Sequence, residues 1–158
     1  MKKVLIALDY DPAAQKIAET GYALAKSMNA KVILLHVISD PAYYSSLNYS
    51  PIFGYDSFSN LDIVQTTAVE ELKKAAKNYL DKSKQHLGDE TIETVIKDGD
   101  FGESILDTAK EMNVDIIVMG SHGRRGFDKI LMGSVAEKVL HKTTIPLFVI
   151  PTKNVEEN

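Results

Sequence analysis

The chain has 158 residues, a formal net charge of −4 and no cysteine. That length suffices for one domain with a real core, and the acidic balance excludes a general attraction to nucleic acid or an anionic membrane. Without cysteine there is no disulfide framework, no thiolate metal site and no thiol nucleophile.

At the N-terminus, Met1-Lys2-Lys3-Val4 does not open a signal peptide, because Asp9 and Asp11 break the apolar run early and no small-residue cleavage site follows. No later stretch is long and apolar enough to suggest a membrane span, and cytoplasmic residence is expected. Val4-Leu5-Ile6-Ala7-Leu8 is a continuous apolar run, as in a strand covered on both faces, and Asp9 closes it. Asp11-Pro12 reads as a helix start with Asp11 as N-cap. Ile17, Gly21, Leu24, Ala25 and Met28 recur at helical spacing, which predicts a helix over about residues 12–28 that Asn29 ends in the left-handed conformation.

Val32 to Ile38 is the second buried strand, stopped by Asp40-Pro41. Residues 41–60 show no period and carry Tyr43, Tyr44, Tyr49, Phe53, Tyr55 and Phe58. Such an insertion is either a mobile loop or a lid and docking surface that orders on binding. A long helix follows over about 61–87, with Tyr79 and Leu80 among its core positions and Gly88 as its stop. Thr91 to Ile96 alternates and reads as a strand nearer the sheet edge. Gly99 to Gly102 is a turn, and Ile105, Leu106, Ala109 and Met112 mark a third helix. Asp115 to Met119 is the fourth strand, about 133–142 the fourth helix, and Leu147 to Ile150 a last short strand closed by Pro151. The tail 154–158 is expected to fray. The order βαβαβαβαβ implies a parallel α/β sheet with helices on both faces and right-handed crossovers. Ligands of such sheets bind beyond the C-terminal strand ends, where the strand order reverses.

The most informative stretch is Gly120-x2-Gly123-x9-Gly133-Ser134, between the fourth strand and the fourth helix. Glycines let a backbone approach a phosphate without an intervening Cβ. A helix start adds unpaired N–H groups and the positive end of the dipole. This segment therefore reads as a phosphate cradle. The competing reading is structural: the glycines permit a tight turn, and Ser134 with Glu137 forms a capping box that satisfies its own helix. There is no Gly-Lys-Ser/Thr of a P-loop and no G-x-G-x-x-G after the first strand. Arg124, Arg125 and Lys129 in the spacer are either a solvated loop face or phosphate contacts. Asp98-Gly99-Asp100-Phe101-Gly102-Glu103 is another glycine turn, but its three carboxylates favour helix capping over phosphate. His36 reads as a core residue, His122 as solvent-exposed or near a phosphate, and His141 as a partner of a helix C-terminus. No histidine pair has metal-ligand spacing, and no Ser-His-Asp arrangement is evident.

Together these residues resemble the universal stress protein family in its ATP-binding branch. The resemblance is carried by the glycine spacing, by Val4 to Asp9, by Gly99-Asp100 and by Ile145 to Ile150, and it covers almost the whole chain. It implies an open five-stranded parallel sheet in the order 3-2-1-4-5, of the Rossmann-like, adenine nucleotide alpha hydrolase-like kind, in a single domain over residues 1–153. It also implies ATP as ligand, accompanied by Mg²⁺ or Mn²⁺, and a homodimer through Leu147 to Ile150. Carried over residue by residue, Gly120 and Gly123 line the ribose and phosphates. Gly133, the Ser134 hydroxyl and the N–H groups of Ser134 and Val135 hold the phosphates. Asp9 sits near the ribose and helps place a cation, and the Val37 backbone meets the adenine edge. Family members often have a small residue where this chain has Tyr10, which either covers the nucleotide or points to solvent. The role implied is a nucleotide-dependent conformational or signalling module read by a protein partner. The alternative is a slow divalent-cation-dependent ATPase or phosphotransferase, against which the missing P-loop lysine argues.

Overall fold

Val4, Leu5 and Ile6 are fully buried, as a continuous apolar run must be when helices cover both faces of its sheet. They belong to β1 (Lys3–Ala7), the central strand of a five-stranded parallel sheet. β1 pairs with β2 (Lys31–Ile38) on one side and with β4 (Ile116–Gly120) on the other. β3 (Glu93–Asp98) flanks β2, and β5 (Leu147–Ile150) flanks β4, so the order is β3-β2-β1-β4-β5. The computed structural model describes residues 1–38, 61–122 and 132–152. The insertion at 41–60 and the tail at 154–158 lie outside the described residues.

Among the described residues four helices link the strands: α1 (Ala14–Ser27), α2 (Leu61–Leu87), α3 (Phe101–Glu111) and α4 (Ser134–Lys142). The strand alternation sorts their contacts. Val4, Ile6, Leu34 and Val118 pack with Ala14, Ile17 and Ala18 of α1 and Leu80 of α2. Leu5, Ile33, Leu35, Val37, Ile117 and Met119 pack with Ile105, Leu106 and Ala109 of α3 and with Ala136 and Val139 of α4. Two helices therefore cover each face. Each such large side chain, fully buried, contributes about 1.5–3 kcal/mol.

Local chemistry moved two boundaries. α1 begins at Ala14 rather than at residue 12, and its N-cap, Ala13, makes no side-chain cap. Asp11 instead closes a separate turn: its Oδ1 accepts the Ala13 N–H at 2.7 Å and its carbonyl accepts the Ala14 N–H at 2.9 Å. β3 begins at Glu93 rather than at Thr91, because Thr91 donates both its N–H and its hydroxyl to Asp89 Oδ1, at 2.9 and 2.6 Å. Asn29 has the expected left-handed backbone, with φ of 53°.

Candidate functional site at the strand-order reversal

β1 is the strand at which the order reverses. From β1 the chain crosses to β2 through α1 on one face, and from β4 it crosses to β5 through α4 on the other. Diverging connections open a crevice between the C-terminal ends of β1 and β4. Asp9 follows β1, Gly120 ends β4, Val37 lies near the end of β2, and Gly133, Ser134 and Val135 start α4. Gly123 lies outside the described residues, as do Arg124, Arg125 and Lys129.

Val37 is buried by its side chain, which packs toward α3 and α4. Its backbone has a different direction. Leu35 O accepts the Leu8 N–H at 2.8 Å on the β1 side, whereas Ile38 O accepts the Gly99 N–H at 2.9 Å on the β3 side. Peptide groups alternate along a strand, so Val37 turns its N–H and C=O toward the side where β1 has already ended. That is an edge suited to a planar donor–acceptor ligand.

Gly120 is not in a positive-φ conformation; its reason is space. A Cβ there would lie 2.7 Å from Ile17 Cδ1 and 3.0 Å from Thr152 Cγ2. The sequence reading of this glycine as a ribose and phosphate contact thus has a packing requirement beside it.

At the start of α4, Gly133 is the N-cap, with φ −70° and ψ 163°, and among the described residues no side chain caps the helix. The capping-box alternative is therefore corrected: Ser134 is the first helical residue and is exposed. The N–H of Gly133 donates to Ser121 O at 2.7 Å, which pins the helix start to the end of β4. Gly133 is thereby an anchor, and the amides of the following residues are the ones presented at the helix terminus.

Beside this anchor lies a buried polar knot that sequence reasoning missed. Ser121, His122 and Thr152 are each 8% exposed, so exposure of His122 to solvent is also corrected. Ser121 Oγ lies 2.9 Å from His122 Nδ1 and accepts the Thr152 N–H at 3.1 Å. Thr152 Oγ1 accepts the His122 N–H and donates to the His122 carbonyl, both at 3.1 Å. The network ties the chain after β5 to the residues that follow β4. No signal in the sequence links residues 121 and 152.

Asp9 accepts the Asp11 N–H through Oδ1 at 2.9 Å, and its carbonyl accepts from the Tyr79 hydroxyl at 2.6 Å. Tyr10 does not simply point to solvent: its ring stands 4.5 Å from His36 and 4.9 Å from Tyr79, on the α1 and α2 face. A cleft of about 460 Å³ opens beside these rings, between the start of α1 and the second half of α2, lined also by Asp11, Pro12, Lys82 and His86.

The acidic glycine turn caps α3 as expected. Asp100 accepts the Glu103 N–H at 2.9 Å. That bond first, and Lys138 second, hold its carboxyl below the usual range. Lys138 pairs with Asp100 at 2.9 Å and Lys142 with Glu103 at 2.6 Å, joining α3 to α4. These carboxylates are thus occupied by lysines of the same helix that starts at the crevice. Among the described residues no group of three or more His, Asp or Glu is placed to hold a metal ion. None of the described helices is long and apolar enough to cross a membrane.

Residues 1–151 match the model of the universal stress protein family. The chain is similar to universal stress protein MJ0577 of Methanocaldococcus jannaschii, 32% identical over 157 residues, which cover 97% of this chain and 96% of that protein. A solved structure of MJ0577 superposes with a TM-score of 0.75 at 30% identity, covering 97% of each chain. Universal stress protein YxiE of Bacillus subtilis is 28% identical over 150 residues, 94% of this chain and 97% of that protein. A universal stress protein solved in complex with cAMP shares the fold, with a TM-score of 0.62 at 17% identity over 94% of this chain and 96% of that one.

Proposed function

The chain belongs to the universal stress protein family, and from that premise we propose that it binds ATP in the crevice between β1 and β4 and acts as a nucleotide-dependent conformational or signalling module. The observation that carries this is the α4 start: it is bonded to the end of β4 through Gly133 and Ser121 and, among the described residues, has no side-chain cap. Helix N–H groups without an internal partner, at the positive end of a dipole, suit a polyphosphate. The family relative with bound cAMP supports an adenine nucleotide as the ligand class.

In this reading the amides of Ser134 and Val135 and the Ser134 hydroxyl hold phosphate oxygens. Gly123 and Gly133 admit the phosphates closely, and Gly120 lines the ribose side. Val37 meets the adenine edge with its backbone. Asp9 faces the ribose and adds one carboxylate toward a cation. One carboxylate suits a Mg²⁺ or Mn²⁺ that arrives on the nucleotide, since such ions keep waters and phosphate oxygens as most of their ligands. The domain extends over residues 1–153, and two copies pair through β5.

Nucleotide shifts a conformational equilibrium only through its differential affinity for the two states. Here the differential contact is the glycine loop, which the phosphates fasten to α4. Phosphoryl transfer is not the expected output, because the chain lacks the Gly-Lys-Ser/Thr lysine that stabilises the migrating charge in a P-loop. Phosphate release with Mg²⁺ or Mn²⁺ should stay well below the roughly 1–100 per second of typical kinases.

Isothermal titration with ATP tests the site. Gly133→Val is informative because φ −70° is open to any residue, so a loss reports the lost approach rather than a strained backbone. Binding should collapse in Gly123→Val and in Gly133→Val. Unchanged affinity in both variants refutes the site.

A further inference from the structure

The turn that carries Asp9 is held by two side chains from distant elements. Leu8 N–H donates to Leu35 O at 2.8 Å, the last ladder bond of β1. Next, His36 Nδ1 lies 2.8 Å from Leu8 O. A carbonyl only accepts, so Nδ1 carries the proton and the ring is the Nδ1–H tautomer. One residue further, the Tyr79 hydroxyl donates to Asp9 O at 2.6 Å. Two consecutive carbonyls, immediately before and within Asp9, are thus each gripped by a side chain, one from β2 and one from α2. Asp11 N–H then holds Asp9 Oδ1 at 2.9 Å.

Neither polar tip is needed for packing. His36 is 1% exposed, and its Nε2 has no hydrogen-bond partner among the described residues. A buried polar atom without a partner costs about 1–3 kcal/mol, a cost that a leucine at this position would not incur. Burial lowers the His36 pKa, which keeps the imidazole neutral. Tyr79 occupies a core position of α2, its ring 5.7 Å from His36 and 4.9 Å from Tyr10, where phenylalanine would fill the same space. What the two groups share is their target: the peptide carbonyls on which the direction of the Asp9 side chain depends.

We propose that His36 and Tyr79 are positioning residues for Asp9, holding the Leu8 and Asp9 carbonyls so that the carboxylate is set in the crevice and its direction is tied to α2. The functional half of this rests on the reading of Asp9 as a nucleotide contact; the positioning half does not. Among the described residues, the Leu8 N–H to Leu35 O bond is the last backbone bond between β1 and β2. The His36 and Tyr79 bonds that follow tie the peptide planes of Leu8 and Asp9 to β2 and α2.

Tyr79→Phe removes a single hydroxyl and keeps the ring. In nucleotide-free protein, NMR should show the Asp9 carboxyl carbon and the Asp11 amide displaced in this variant, with α3 and β5 resonances unmoved. The ATP dissociation constant should rise roughly five- to tenfold, the scale of one hydrogen bond. In an Asp9→Asn background the same Tyr79→Phe change should have no further effect on ATP, as a cycle of coupled residues requires. His36→Asn, which keeps a donor near the Nδ1 position, should restore the Asp9 signals that His36→Leu displaces. Should His36→Leu fail to fold, Tyr79→Phe decides alone. Unmoved Asp9 and Asp11 signals in Tyr79→Phe overturn the proposal, as does an ATP loss of equal size with and without the Asp9 carboxylate. A wild-type protein without ATP affinity whose Asp9 signals still follow Tyr79 would retain the positioning role and remove the nucleotide reading instead.

Discussion

Ile17 on α1 occupies the space that a side chain on Gly120 would need: an added Cβ would lie 2.7 Å from Ile17 Cδ1. Ile17 is 3% exposed, so its end has little room to turn away, and Thr152 Cγ2 stands 3.0 Å off on another side. The end of β4 is thus as thin as a peptide chain can be, and the packing of Ile17 and Thr152 requires it.

Gly120→Ala is accordingly expected to destabilise the fold by about 1–3 kcal/mol, the range for an overpacked core. Urea denaturation monitored by circular dichroism measures it. The Ile17→Ala background relieves the crowding, so the Gly120→Ala increment should shrink there. An unchanged increment would show that the crowding is not what matters.

Asp100 caps α3 and pairs with Lys138. The two roles differ in size. Asp100→Ala should cost about 0.5–2 kcal/mol through the lost cap. Lys138→Met should cost less than the lost cap, because an exposed pair is screened by water. Equal losses in denaturation midpoints, at matched slope, would contradict this ranking.

Stability should fall on mild acidification because of His36. Burial keeps its folded pKa below the ordinary 6.5, and the bond to Leu8 O opposes this only in part. The unfolded chain therefore binds the proton more readily, and stability rises with pH. The contribution is fully present above about pH 6.5, the unfolded value, and is lost as pH falls through the lowered folded value. The exposed carboxylates of Asp89 and Asp100, also lowered, act in the same direction but in a more acidic window. Denaturation midpoints between pH 7.5 and 5 should decline in the wild type and be flatter in His36→Asn. A flat wild-type profile would place the proton elsewhere.

The β5 edge carries the dimer prediction. Ile117 N–H donates to Pro146 O and Ser121 N–H to Ile150 O, so by alternation Phe148 and Ile150 face β4 with their peptide groups while Val149 faces outward. Phe148, 40% exposed, leaves apolar surface beside that edge. Val149→Pro removes an outward donor and spares the β4 ladder, as proline on an edge strand can. Sedimentation should give a dimer for the wild type and a monomer for Val149→Pro, with far-ultraviolet circular dichroism unchanged. A monomeric wild type at micromolar concentration would refute pairing through β5.

Much of the site was legible because its signals are local. Val4 to Leu8, Val32 to Ile38 and Asp115 to Met119 are apolar runs bounded by polar residues, and a parallel sheet is where such runs stay buried. Asp100 capping and the left-handed Asn29 depend only on their own neighbours. The solvent-facing alternatives for Tyr10 and His122 and the capping alternative for Ser134 failed for a common reason. Whether a tyrosine stacks or a serine caps depends on what the fold brings alongside: His36 and Tyr79 for Tyr10, Thr152 for His122, and Ser121 for the α4 start.

The sequence by itself determined the alternation of strands and helices, the family, and the strand ends on which a ligand-binding crevice must lie, since periodicity and turn chemistry act over a few residues. Tertiary structure alone decided that Gly133 is an anchor, that Gly120 has no room for a side chain, and that Asp9 is steadied by His36 and Tyr79. Those facts are contacts between residues 12 to 103 positions apart, and only the packed sheet brings such residues within hydrogen-bond or van der Waals distance.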